Sequence, residues 1–176
     1  MPDVIHHACK REGDMSSATT RHDPGELQAS VPAGTVIVAS TGAGPFDQIM
    51  LDGRHTSHAD EPVAAGGSDG GPGPYELLLM ALGSCTSMTV HLYARQKKWP
   101  LEQVVVRLRH DRVHAEDCAD CENSKSMIDR IDKSLELIGP LDETQRTRLI
   151  QIADHCPIHR TLTSKIDIRT VLEPAG

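Results

Sequence analysis

Two prolines, Pro74 and Pro100, enclose the segment that most limits how this chain folds. Between them the pattern predicts one long helix, from about Tyr75 to Lys98. Pro74 suits a first helical turn, and Glu76 sets negative charge near the positive end of the helix. Leu78, Ala81, Leu82, Cys85, Met88, Thr89 and Leu92 fall on one stripe at helical spacing, while Leu77, Leu79 and Met80 widen the apolar surface. A helix that is apolar nearly all round at its start must be enclosed by other elements. Arg95, Lys97 and Lys98 complement its C-terminal end, and Pro100 stops it. This is the central helix.

The remaining elements are shorter. The chain has 176 residues, enough for one domain with one hydrophobic core. Residues 1–33 are polar and without sustained periodicity, and they read as a mobile tail containing Cys9; the domain then covers residues 34–176. Thr35–Ser40, Phe46–Leu51 and Arg54–Ala59 alternate with turn signals, among them the hairpin dipeptide Asp52-Gly53, and predict a three-stranded meander. Val104–His110 is predicted as a strand. A second helix is expected from about Ser124, with Ile128, Ile131, Leu135 and Ile138 on one face up to Gly139-Pro140. A third begins at Asp142, where Asp142 and Gln145 match a capping box, and ends near His155 because Pro157 follows Cys156. Lys165–Leu172 alternates as a closing strand. Strands before, between and after helices argue for an α+β fold over a doubly wound sheet.

Composition excludes several function classes. The formal net charge of −7 gives no electrostatic reason to expect nucleic acid or an anionic membrane as partner. No apolar run is read as approaching the ~20 residues that span a bilayer. Met1–Gly13 is charged and lacks the apolar core of a secretory signal, so the expected compartment is the cytoplasm, where paired cysteines point to chemistry or metal more than to staples. The glycine-rich Gly66–Pro74 segment lacks the Gly-Lys-Ser/Thr of a phosphate loop and reads as a sharp turn into the helix.

Two of the five cysteines lie in informative contexts. Cys85 sits inside the apolar helix and Cys156 ends another, 71 positions later. Taken alone, Cys85 reads first as a small apolar filler on a buried helix face, since free cysteine is among the most buried residue types. With Cys156 the two form a candidate redox pair, oxidised and reduced as a unit if they meet. A helix C-terminus disfavours a thiolate at Cys156, while His155, His159 and Arg160 favour it; that balance suits a resolving thiol, with Cys85 as attacker. His114, Cys118 and Cys121 form a separate His-x3-Cys-x2-Cys constellation. Without a fourth ligand no closed metal site is assigned, and a loop feature, a labile disulfide and a metal site stay open.

The segments Pro-x-Glu-Leu-Leu-x-x-Ala-Leu-Gly-Ser-Cys and Ala-Asp-His-Cys-Pro-Ile-His-Arg-Thr-Leu, with their spacing, resemble the OsmC/Ohr family of osmotically inducible and organic-hydroperoxide-resistance proteins. The resemblance covers roughly residues 35–173 and is nearest to the branch with Asp60-Glu61-Pro62 followed by Gly66–Pro72. It implies antiparallel sheets around two central helices, in an intertwined homodimer with active sites at the subunit interface. It also implies that Cys85 attacks an organic hydroperoxide, that a Cys85–Cys156 disulfide forms, and that an external dithiol restores the pair without metal or organic cofactor. The family's supporting glutamate lies ten positions before the attacking cysteine. Here that position is Tyr75 and the acid is Glu76, about half a helical turn out of phase with Cys85 and roughly 13.5 Å along the axis. Arg54 is the arginine available to the N-terminal hairpin. The alternative function is a non-enzymatic module of the same fold that binds a small apolar ligand or senses redox state.

Overall fold

The computed structural model of this protein describes residues 22–114 and 127–173. Within the segment expected to be a tail, Pro24–Ser30 forms a short helix, α1, started by Pro24 and capped by the Asp23 carboxylate, which accepts from the Gly25 and Glu26 N–H groups. Residues 1–21 lie outside the described residues. The meander follows as expected: β1 (Ile37–Ser40), β2 (Gln48–Leu51) and β3 (Thr56–Ala59) pair antiparallel in sequence order. Its buried residues are Ile49, Leu51 and Ala59, and its principal helix contact is α1.

The central helix, α2, spans Pro74–Lys97. It closes with Lys98 in the left-handed region at φ 56°, its N–H returned to the Ala94 and Arg95 carbonyls. The inward stripe is Leu82, Thr86, Val90 and Ala94. That is displaced from the predicted stripe: Met88 and Leu92 face outward instead. A helix apolar on most sides does not reveal from sequence which side its own chain will cover. By length and composition alone α2 is apolar enough to cross a bilayer, which corrects the expectation that no segment was. It packs against the strand and helices that follow, as the core helix of a protein fold does.

After α2 come β4 (Gln103–His114) and β5 (Met127–Ile138), paired antiparallel from Gln103 opposite Ile138 to His114 opposite Met127. The helix expected from Ser124 is therefore a strand. Its residues satisfy both periods, since Ile128, Ile131, Leu135 and Ile138 recur at helical spacing. Ile131, Lys133, Leu135 and Leu137 alternate inward, however, while Asp132, Ser134 and Glu136 face solvent. Tertiary pairing with the Val104–Leu108 run decides between them. Arg107 and Glu136 bridge the outer face at 2.8 Å.

The hairpin leads through Gly139 into α3 (Glu143–Ala153). Gly139 stands at φ 138°, where an added Cβ would collide with the Pro100 carbonyl, so the turn requires glycine. α3 carries the full capping box of Asp142 and Gln145. A further helix, α4 (Pro157–Leu162), begins immediately after Cys156. The core gathers Val90 and Ala94 from α2, Leu137 from β5, Leu141, and Leu149 and Ala153 from α3. The closing strand expected over Lys165–Leu172 is not paired among the described residues; residues 165–173 hold no regular element, and Ile166, Ile168, Val171 and Leu172 are exposed. The architecture is α+β, with antiparallel sheets and the helices α2 and α3 at its centre.

Candidate functional site

α2 presents Cys85 and Thr86 on consecutive positions toward the junction of α3 and α4. Thr86 is fully buried, and Cys85 is half-buried. Gly83, two residues earlier, lets β4 come close, since a Cβ there would meet Leu108 Cδ1 at 2.9 Å. From the other side the chain leaves α3 at Asp154 and enters α4 at Pro157, which places Cys156 between the two helices. Cys156 is fully buried. The fold brings the two thiols within hydrogen-bonding reach, both unoxidised.

Donors surround the Cys156 sulfur. Thr86 Oγ1 lies 3.5 Å away, and the His159 backbone N–H donates to Sγ at 3.3 Å. The geometry corrects the sequence expectation at this residue. Cys156 follows the C-terminal end of α3 but is also the N-cap of α4. Reading Pro157 only as a terminator misses the short helix 157–162, because proline is also favoured at the first helical position. Burial raises the Cys156 thiol, but the Thr86 hydroxyl, the His159 N–H, the Cys85 thiol and the Lys133 charge outweigh it, and its pKa falls below the ordinary thiol value.

Lys133 is the residue that sequence reasoning overlooked. It occupies an inward position of β5 opposite Leu108, with 11% of its side chain exposed. Its Nζ donates to the Ala153 carbonyl at 3.1 Å and to Asp154 Oδ1 at 3.1 Å, and lies 3.5 Å from His159 Nδ1. The same Asp154 Oδ1 lies 3.9 Å from His159 Nδ1, so lysine, carboxylate and imidazole meet beside Cys156. The signal in the sequence was a lone lysine at an inward step of the 131–133–135–137 alternation.

Arg54 and Glu76 lie elsewhere. Arg54 is exposed in the turn between β2 and β3, where its backbone N–H donates to Asp52 Oδ1. Glu76 is exposed on the first turn of α2. Neither one is among the groups that act on the Cys156 thiol. Glu76 lines a groove of about 570 Å³ between α2 and β4, walled by Leu79, Met80, Gly83, Val104, Val106 and Leu108. Tyr75, at the family's glutamate position, stacks on His110 with ring centroids 4.3 Å apart. A second cavity of about 220 Å³ is bounded by Leu82, Asp129, Ile131, Lys133, His159, Leu162 and Thr163.

The glycine-rich loop has a structural role. The Asp60 carboxylate, itself buried, accepts from the N–H groups of Glu61, Ser68 and Gly70. These bonds, Gly70's foremost, hold its carboxyl below the usual range. The loop folds back on Asp60 and so delivers the chain to Pro74. His114 ends β4, whereas Cys118 and Cys121 lie outside the described residues, as does Cys9.

A family model for OsmC-like protein matches residues 66–171, a span that holds α2, both site cysteines and Lys133. No curated protein sequence matches the chain. The fold is similar to solved structures. An OsmC-like protein from Mycoplasma pneumoniae superposes with a TM-score of 0.57 at 19% identity, covering 73% of this chain and 85% of that one. An organic hydroperoxide resistance protein OsmC from Legionella pneumophila gives 0.53 at 19%, covering 76% and 92%. The organic hydroperoxide resistance protein OhrB of Bacillus subtilis gives 0.52 at 17%, covering 76% and 93%. At these identities the likeness is one of fold.

Proposed function

Because this chain belongs to the OsmC-like protein family, we propose that it is a cysteine-based thiol peroxidase that reduces organic hydroperoxides in oxidative-stress defence. One observation carries the reading: two cysteines distant in sequence meet in the fold, one half-buried and one buried among hydrogen-bond donors. The organic hydroperoxide resistance proteins of similar fold support the substrate class. The Cys85 thiolate attacks the peroxide O–O bond, an alkoxide leaves and takes a proton as the alcohol, and Cys85 becomes a sulfenic acid. Cys156 then attacks that sulfur, hydroxide leaves, and the Cys85–Cys156 disulfide forms. An external dithiol returns the two electrons. The thiols store the oxidising equivalents, so the reaction calls for no metal or organic cofactor. The working unit is a cytoplasmic homodimer that engages neither nucleic acid nor membrane.

Mass spectrometry after one equivalent of cumene hydroperoxide tests this. Wild type loses two hydrogens, the Cys156→Ser variant gains one oxygen at Cys85, and the Cys85→Ser variant does neither. Oxidation first at Cys118 or Cys121, with Cys85 still reduced, overturns the assignment. The apolar groove between α2 and β4 favours a second reading, a module that binds a small apolar ligand. Protection of Cys85 by such a ligand without peroxide turnover identifies that function instead.

A further inference from the structure

Resting on the Cys85–Cys156 disulfide of the peroxidase reading, we infer that Thr86 tunes the redox pair. Its buried hydroxyl bonds the reduced Cys156 sulfur and loses that bond in the disulfide, which makes the disulfide the stronger oxidant. The inward stripe of α2 is Leu82, Thr86, Val90 and Ala94, and Thr86 carries the one hydroxyl on it. The residue is fully buried, where an uncompensated hydroxyl is costly. Ser84 and Thr89 send their hydroxyls to carbonyls of their own helix, Ala81 O at 3.1 Å and Cys85 O at 2.8 Å. Thr86 differs. Among the described residues, the partner of its hydroxyl is Cys156 Sγ, 3.5 Å away.

Oxidation weakens that bond whichever atom donates. If the thiol donates to Thr86 Oγ1, forming the disulfide removes the proton. If the hydroxyl donates to a thiolate, forming the disulfide withdraws the charge that makes sulfur a strong acceptor, since neutral sulfur accepts weakly. The sulfur also has to turn. To bond Cys85 at about 2.05 Å it moves toward a residue about 100° round α2 from Thr86. The hydroxyl is then left without its partner at a fully buried position. That cost falls on the disulfide and spares the dithiol.

The second donor to that sulfur, the His159 N–H at 3.3 Å, is a backbone group of α4 and stays in place when residue 86 is substituted. Differences among residues at position 86 therefore report the hydroxyl. A stabilised reduced form makes a disulfide more oxidising. In a thiol peroxidase such a poise favours return of the pair to its working dithiol by the external donor. This equilibrium is separate from the rate at which the disulfide forms.

The test equilibrates the full chain with glutathione and glutathione disulfide. The glutathione disulfide takes two electrons and two protons from the dithiol, giving two glutathione thiols and the Cys85–Cys156 disulfide. Differential alkylation with peptide mass spectrometry measures that disulfide apart from the other cysteines. Thr86→Val should shift the equilibrium about three- to tenfold toward the disulfide, roughly 14–30 mV more reducing. Thr86→Ala and Thr86→Ser both lose the buried methyl and differ from each other by the hydroxyl alone. Thr86→Ala should shift as Thr86→Val does, and Thr86→Ser should return close to wild type. A residue that merely packs would leave the equilibrium unmoved in Thr86→Val, or move it equally in Thr86→Ala and Thr86→Ser. Either result overturns the inference, as does a shift toward the dithiol in Thr86→Val. If Thr86→Val does not fold, the comparison of Thr86→Ala with Thr86→Ser decides. No readout here uses peroxide. The expected shifts without peroxide turnover refute the peroxidase reading alone, and turnover with an equilibrium blind to the hydroxyl overturns this inference alone. A wild type that forms no Cys85–Cys156 disulfide overturns both.

Discussion

At the scale of single residues, the chemistry of the site rests on what surrounds one sulfur. Thr86→Val removes the hydroxyl beside Cys156 while keeping the side chain's branched shape, although it is not a neutral swap in a buried site. It should raise the Cys156 pKa and slow the condensation of the Cys85 sulfenic acid with Cys156; stopped-flow disulfide formation at neutral pH measures it. The same sulfur makes stability depend on pH. The folded pKa of Cys156 lies below its unfolded value of about 8.5, so its stabilisation is fully present above that value and is lost as pH falls through the folded pKa. The denaturation midpoint of the reduced protein should therefore rise with pH toward about 8.5, and Cys156→Ser should remove that part of the rise. Both cysteines were legible from their local contexts. Lys133 was not, because its contribution depends on a strand pairing that its own segment does not specify.

At the scale of elements, legibility followed local chemistry. Asp142 and Gln145 announce the start of α3 through a pattern that needs no tertiary partner, and the structure holds both halves of the box. Asp142→Ala should cost about 1 kcal/mol in urea denaturation with an unchanged slope. Leu149, on the same helix and fully buried, should cost about 2–5 kcal/mol as Leu149→Ala, the loss of transfer energy plus a cavity. A smaller effect at Leu149 than at Asp142 would show that the α3 core contact is misplaced. β5 shows where local reading ends. Its apolar residues fit two periods at once, and the choice belongs to β4, twelve residues of which pair along it.

At the scale of the whole molecule, the surface that one chain leaves uncovered argues for a second chain. Met80, Ser84, Met88 and Leu92 recur every four residues along the outer side of α2, with Met88 70% and Leu92 58% exposed. Val36 and Val38 are exposed beside the meander, and the alternating segment 165–172 has no strand partner among the described residues. These are apolar surfaces in three separate places, one of them on the helix that carries Cys85. The repeating outer face of α2 has the contiguity of an interaction surface. The expected occupant is a second copy, consistent with the intertwined homodimer implied by the family resemblance. Sedimentation equilibrium at micromolar concentration should give twice the chain mass. Met88→Glu combined with Leu92→Glu should bury two charges in that interface and shift the protein to monomer. A wild-type monomer would remove the dimer from the proposal and leave the cysteine pair, which one chain assembles by itself, to be judged on its own chemistry.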